Sequence, residues 1–219
     1  MPAEDWTSRL DAYRRKGRTD AEIRGIADHL QKRGPRKPRT REDGIARARE
    51  TGTVNRAVYV PADEEAPHLT RDAAGLPTLR LVDSGDRLSV WSPLDGGALL
   101  NPKGTGLRRF GLVATYARGS THHAAAFRAA DLRKGRPVEL RREPDNPHDG
   151  NAVALYAPGA REPFGYVQKG RAPAVARRMD AGENMAGVSL RGPGPRRDDD
   201  TAFVLVGSAA DLAALRGDA

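Results

Sequence analysis

Apolar residues near the start of the chain recur at three- and four-residue spacing: Trp6, Leu10 and Tyr13, then Ile23, Ile26, Ala27 and Leu30, with Gly17 between the runs. That period predicts two short helices. Thr19 followed three residues later by Glu22 is a capping-box pattern opening the second helix, and Gly34-Pro35 supplies its stop. The pattern lapses in QKRGPRKPRTR, residues 31–41, where basic residues and prolines alternate without an acid. Such a segment buries no face and reads as a flexible basic linker. Strand-like runs follow at 56–60 and at 79–82 with 87–91, the latter two joined across Asp83-Ser84-Gly85-Asp86 as a hairpin. The glycine- and proline-rich stretch 94–106 reads as a loop and a domain boundary.

From Leu107 the apolar density rises. Strands are expected at 107–116, 137–142, 151–157, 164–168, 185–191 and 203–207, with helices at 122–132 and 172–180 and a tail helix at 209–215. Six short strands around two helices predict a mainly β fold with some α (α+β), a small barrel preceded by the helical hairpin and the basic linker. The expected organisation is a hairpin over 1–34, a linker over 35–52, accessory strands over 53–106, the barrel over 107–207 and a tail helix over 208–219.

Charge changes the picture more than composition does. With 37 Lys and Arg against 29 Asp and Glu, the net charge of +8 points to a polyanionic partner, since each neutralised phosphate releases condensed counterions. The plainer reading is that Arg-, Ala- and Gly-rich chains follow from GC-rich coding. The apolar share of 38% with 24 Gly and 16 Pro predicts one folded core with flexible flanks. Zero cysteines exclude a disulfide framework, a thiolate zinc cluster and a cysteine nucleophile. There is no apolar run long enough to span a bilayer, and the N-terminus opens on Glu4, Asp5 and Trp6. The expectation is therefore a cytoplasmic protein with no membrane partner, nucleoid association being left open.

One segment carries specific information. LRREPDNPHDGNAVALY, residues 140–156, resembles the signature of the HIRAN domain family, with Glu143, Pro144, Asn146, Pro147, Asp149, Asn151 and Ala152 in register. Gly135, Val138 and Leu140 match its lead-in, and Phe164-Gly165-Tyr166-Val167 matches the strand that follows. The resemblance covers about residues 107–207 and implies an OB- or SH3-like barrel. It also implies a module that holds the 3′-hydroxyl end of single-stranded or frayed DNA in repair or processing. RNA remains an open alternative, and a repair or helicase protein is a further partner class. No phosphate-binding loop of the G-x-x-x-x-G-K-[ST] kind is present, so the ATPase of larger family members is not expected.

The resemblance implies roles residue by residue. Asp149 would accept a hydrogen bond from the terminal hydroxyl, and His148 takes the place of an aromatic packed on the terminal nucleoside. Tyr116 and Tyr166 would line the groove, Lys169 would contact backbone phosphate, and Arg141 and Arg142 would extend the basic track. Relatives that bind DNA ends carry an Arg and a further aromatic just before the position of Tyr116, where this chain has Ala114 and Thr115.

Without the family, Asp145, Asn146, Pro147 and Asp149 are turn formers, Tyr116 is a core tyrosine and Lys169 an ordinary surface cation. Adjacent histidines His122 and His123 point apart on a helix and fix no coordination shell, so no metal or cofactor is expected. No catalytic constellation is readable. Two other function classes stay in view: a metal-dependent phosphodiesterase using Glu143, Asp145 and Asp149, and a peptide-binding interaction domain. Likewise, the basic turn Arg14, Arg15, Lys16 and Arg18 reads either as a solvated face or as a DNA-binding hairpin.

Overall fold

The computed structural model describes residues 59–193 and 201–218, together with Thr19. The chain divides into two compact units, 1–40 and 41–219, and all described residues except Thr19 lie in the second. The expected helical hairpin and basic linker fall outside the described residues.

Nine strands and four helices make up the described part. A small antiparallel sheet comes first, in the order β1 (Arg80–Asp83), β2 (Leu88–Ser92), β3 (Ala98–Leu100). The short helix α1 (Thr105–Arg109) then leads into β4 (Val113–Tyr116). Helix α2 (Ala124–Ala129) precedes β5 (Pro137–Glu143), β6 (Ala152–Tyr156) and β7 (Gly165–Tyr166). Helix α3 (Ala172–Asp180), β8 (Met185–Arg191), β9 (Phe203–Ser208) and α4 (Ala209–Arg216) complete the order.

Strands β4 to β9 form one six-stranded antiparallel sheet, ordered β4-β9-β8-β5-β6-β7. Its two ends meet: just past β4, Arg118 bridges to Tyr166 of β7, with backbone hydrogen bonds of 2.9 Å and 2.8 Å in each direction. The sheet thus curls into the expected small barrel, and closure removes the edge that an open sheet would expose. Between β5 and β8 the pairing shrinks to Pro137 with Val188 and Val138 with Gly187. Beyond that point β5 turns to pair with β6, and the two strands part.

Alternation along the strands sends side chains to two cores. Val113, Val153, Leu155, Val204 and Val206 fill the barrel interior, capped by Phe127 of α2 and by Ala172, Val175 and Ala176 of α3. Ala114, Val188, Leu190, Phe203 and Leu205 face outward into a second core with Val90, Leu100, Leu107, Leu212 and Leu215. Because β9 is covered on both sides, its sequence reads as a nearly unbroken apolar run.

This arrangement corrects three expectations. The stretch 94–106 holds a third strand, β3, which pairs with β2 through Val90–Leu100, Trp91–Leu99 and Ser92–Ala98. It therefore runs through a shared core instead of separating two bodies. The expected long strand at 107–116 is a turn of helix followed by a shorter strand, because Leu107 drops into the second core from α1. The helix expected from His122 begins at Ala124, since His122 and His123 close turns back to Gly119 and Ser120. Of the strand expected at 56–60, the described part makes a single bridge from Tyr59 to Leu99.

Candidate functional site

The loop joining β5 to β6 is held by its own side chains. Asn146 donates from Nδ2 to Glu143 Oε2 at 2.8 Å and accepts at Oδ1 from the His148 amide at 3.0 Å. Asp149 Oδ1 accepts from the Asn151 amide at 2.9 Å, and the Ala152 amide donates to the Asp149 carbonyl at 2.8 Å. These are Asx turns, and Pro144 and Pro147 remove further freedom. The turn-forming role therefore coexists with side chains that remain open to solvent. One Asp149 oxygen serves the turn, while His148 stands exposed and Asp149 half-exposed.

Glu143 ties this loop to the closing strand. Its Oε1 accepts from the Tyr166 hydroxyl at 3.5 Å while Oε2 holds Asn146. Burial raises the Tyr166 phenol above its ordinary value, and the negative charge and hydrogen bond of Glu143 push the same way. On its other side the Tyr166 ring meets His123, with centroids 5.6 Å apart. Gly119, at φ +76°, brings that segment back across the ring, where a Cβ would lie 3.7 Å from Tyr166 Cδ2. Lys169 follows β7 on an exposed turn and engages no acid among the described residues.

Tyr116 belongs to a different neighbourhood. It packs against the second core with its ring 4.9 Å from Phe203. Lys103 lies 4.3 Å above the Tyr116 ring and its Nζ donates to the hydroxyl at 3.0 Å. Burial alone would raise this phenol, but the Lys103 hydrogen bond and the charges of Lys103, Arg191 and Arg87 outweigh it and lower the net value. Arg118 links the two tyrosines: its backbone pairs with Tyr166 and its guanidinium stands 5.8 Å from the Tyr116 ring centre.

Arg141 and Arg142 alternate along β5, so they face opposite ways. The Arg141 guanidinium lies 3.9 Å over Tyr156 and donates to Glu139 and to the Ala160 carbonyl. Arg142 grips Asp180 at the end of α3 through two hydrogen bonds and is largely buried. Both are occupied within the fold, and Arg142 also donates from Nη1 to the Ala152 carbonyl at 3.2 Å, where the 143–152 loop ends. The structure thus gathers Asn146 and Tyr166 around Glu143, beside the exposed His148 and the half-exposed Asp149, with Arg142 bonded to the loop's last residue, and sets Tyr116 and Arg141 elsewhere.

Sequence reading missed Glu143 as the hub, and His123, Lys103 and Arg118 as ring neighbours of the tyrosines. The first was legible, since a carboxylate three residues before an Asn in a loop is a ready acceptor. The others depend on contacts across the chain. No three His, Asp or Glu side chains converge as a metal cluster among the described residues. Ala114 and Thr115 are both buried, and Thr115 Oγ1 accepts from the Gln168 amide at 3.0 Å.

Residues 110–198 match the family model of the HIRAN domain. No curated protein matches the chain. Among solved structures, a Lactobacillus plantarum protein is similar at 21% identity and a TM-score of 0.37, covering 42% of this chain and 87% of that one. The crystal structure of the HIRAN domain of human HLTF is similar at 22% identity and a TM-score of 0.35, covering 48% of this chain and 83% of that one.

Proposed function

With a HIRAN domain at residues 110–198 as premise, we propose that this protein binds single-stranded or frayed DNA at or near a 3′-hydroxyl end, as a module in DNA repair or processing. The observation that carries the reading is the braced 143–152 loop. It is fixed to Tyr166 through Glu143, with His148 exposed and Asp149 half-exposed, one Asp149 oxygen being engaged in the turn. A pre-formed acceptor loses little entropy on capturing a hydroxyl, and a charged acceptor makes the stronger bond.

In this reading Asp149 accepts a hydrogen bond from the terminal hydroxyl and His148 packs on the terminal sugar and base. Tyr166 supplies a stacking face beside them, Lys169 neutralises a backbone phosphate, and Asn146 positions the loop. Tyr116 with Lys103 and Arg118 forms a second aromatic and cationic surface farther along the molecule. Arg141 and Arg142, being paired internally, act on the strand through the net field and not by direct grip.

Fluorescence anisotropy tests the reading with one short oligonucleotide ending in either a 3′ hydroxyl or a 3′ phosphate. Wild type is expected to favour the free hydroxyl, and Asp149→Ala to lose that preference with an affinity drop of about tenfold or more, the size of a charged hydrogen bond. Equal binding of both ends by wild type, or an unchanged preference in Asp149→Ala, overturns it.

A peptide-binding reading has one observation in its favour. Where β5 and β8 part, a groove of about 540 Å³ opens between them and α4, lined by Leu140, Met185, Ala186, Val188 and Leu212 among others. Salt-insensitive capture of an extended peptide would support it, since phosphate binding weakens steeply with salt.

A further inference from the structure

The alternation of β4 continues past its last residue. Val113 and Ala117 fill the barrel interior, whereas Ala114 and Tyr116 face the second core, so Arg118 follows Tyr116 on the outer side. Arg118 stands directly opposite Tyr166, with which it exchanges both backbone hydrogen bonds, at 2.9 Å and 2.8 Å. The side chains of such a pair share one face. Tyr166 is in turn opposite Ala154, whose neighbours Val153 and Leu155 point inward, which puts Tyr166 on the outer face by a second route.

Tyr166, Arg118 and Tyr116 thus form a row of ring, cation and ring across the closure of the barrel. Cα atoms of a hydrogen-bonded antiparallel pair lie about 5.5 Å apart, and those two residues apart on a strand about 6.6 Å. Both steps exceed the ~3.4 Å rise of a stacked duplex strand, so the row suits a splayed single strand with successive bases on separate rings and a phosphate between them. The Arg118 guanidinium, 5.8 Å from the Tyr116 ring centre, is the cation at that step.

Lys103 ends the row. Its Nζ lies 3.0 Å from the Tyr116 hydroxyl, 4.3 Å from the centre of that ring and 5.5 Å from the centre of Phe203. The side chain is exposed, but its backbone is fixed. The Lys103 amide donates to Asn101 Oδ1 at 3.1 Å, and the Gly104 amide donates to the Asn101 carbonyl at 2.8 Å. The buried Glu65 carboxylate holds the same turn through the Asn101 and Gly106 amides. This turn precedes the 110–198 match, so a segment outside the family domain reaches the outer ring of the row.

We propose that Arg118 and Lys103 are two backbone-phosphate contacts that carry the single strand 5′-ward from its held 3′ end, across Tyr166 and Tyr116, onto the segment preceding the family domain. This rests on the end-binding reading and extends it. Arg118 takes the phosphate between the nucleotides on the two rings, where its planar fork meets two oxygens at once. Lys103 leaves the Tyr116 ring for the next phosphate, because an anion attracts an ammonium more strongly than a neutral ring and hydroxyl do. The ring face it uncovers receives a base. The track recognises backbone and not base, adding length and affinity without sequence preference.

The test follows binding of the full chain by anisotropy across a salt series, using a 3′-hydroxyl strand of about six nucleotides, within the site size of one small barrel. A dinucleotide with the same 3′ end is measured by competition. For Arg118→Gln/Lys103→Gln, the slope of log affinity against log salt on the longer strand is expected to fall by about 1.4, or about 0.7 for each lost phosphate contact. Affinity on that strand falls roughly tenfold or more, the size of a charged hydrogen bond. Dinucleotide binding and the preference for a 3′ hydroxyl are expected not to change. An unchanged slope on the longer strand overturns the track, and so does an equal loss on the dinucleotide, which reaches neither cation.

A purely structural role gives a different result. If the two cations only brace the tyrosines, the double variant melts earlier and keeps the wild-type slope, which also overturns the track. Arg118→Lys is expected to keep the slope, since counterion release follows charge, while losing some affinity with the fork. Should the double variant fail to fold, Lys103→Gln alone decides: a slope lower by about 0.7 supports the track and an unchanged one overturns it. The two readings fail separately. If wild type shows no end preference but the double variant loses slope, end capture is wrong and the phosphate contacts stand. If Asp149→Ala removes end preference and the double variant changes nothing, the track is wrong and end capture holds. A wild-type protein that binds neither strand overturns both.

Discussion

At Gly192 an added methyl group would sit 2.3 Å from the Leu132 carbonyl oxygen. The same carbonyl accepts from the buried Ser189 hydroxyl at 2.7 Å, so the connection from α2 to β5 is pressed onto β8 at these two residues. Gly192→Ala should therefore cost about 1–3 kcal/mol, the usual price of overpacking. Ser189→Ala should cost about 1–3 kcal/mol by leaving a buried carbonyl without its donor. Denaturant unfolding monitored by circular dichroism measures both. The two tyrosines offer a check of electrostatics at the same scale. Tyr116 should ionise early and Tyr166 late, because cations surround the first while Glu143 and burial act on the second. In an ultraviolet titration Tyr116→Phe should remove an early step, and Lys103→Met should move that step to higher pH. A titration in which Tyr116→Phe removes a late step contradicts the Lys103 contact.

Elements are joined here by single charged residues. Glu65 is buried, and its carboxylate accepts backbone hydrogen bonds from Asn101 and Gly106 at the start of α1. Burial raises its carboxyl above the ordinary value against those bonds. Gly106 has no room for a side chain there, since a Cβ would lie 2.6 Å from Glu65 Oε2. Arg71 performs the matching task for α4: it makes two hydrogen bonds to Asp211, at 2.8 Å and 3.0 Å, and stacks over Phe110. Ser208 caps the same helix by accepting from the Asp211 amide at 3.0 Å. Arg71→Ala should lower stability by about 1–3 kcal/mol, because Asp211 stays buried with its charge unanswered. Ser208→Ala should lower it by about 1 kcal/mol, the typical worth of an N-cap. Thermal unfolding of the two variants and their combination would show whether the losses add, as neighbouring sites need not.

For the whole molecule, the second core decides what can fold alone. Ala114, Val188, Leu190, Phe203 and Leu205 leave the barrel's outer face and meet Val90 and Leu100 of the small sheet. A fragment starting at Leu107 would present that face to water, so it should aggregate or unfold at a lower temperature than a fragment covering 41–219. Size-exclusion chromatography with thermal melts distinguishes the two. If the shorter fragment is as stable as the longer, the shared core contributes nothing. Acid stability follows from the ion pairs. Asp83 and Glu183 are held below their ordinary values, first by hydrogen bonds from Lys134 and Arg178 respectively. Their folded values lie below the unfolded ones, so their contribution is present above pH about 4.5 and lost as pH falls through the folded values. Asp83→Asn/Glu183→Gln should flatten the acid limb of the stability curve, whereas Glu65, shifted the other way, should not contribute to that limb.

Local pattern alone determined the elements whose periodicity is strong and whose ends are marked. The expected spans of α3 and β8 coincide with those observed, and β9 and α4 differ by one residue at one end. In these segments the apolar spacing and the turn residues agree, so no distant contact had to override them. The loop motif was legible for the same reason: its prolines and Asx turns act within a few residues. Tertiary structure decided the rest. β3 is three residues long between glycines and prolines, and becomes a strand only because β2 offers it a register. Tyr116 and Tyr166 look alike in the sequence, yet their different places along one curled sheet give the first Lys103 and the second Glu143. Arg141 and Arg142 read as a free basic track until Tyr156, Glu139 and Asp180 are brought to them by strand pairing and helix packing. Which cations remain uncommitted is a property of the folded surface, because a carboxylate far along the chain can neutralise any one of them.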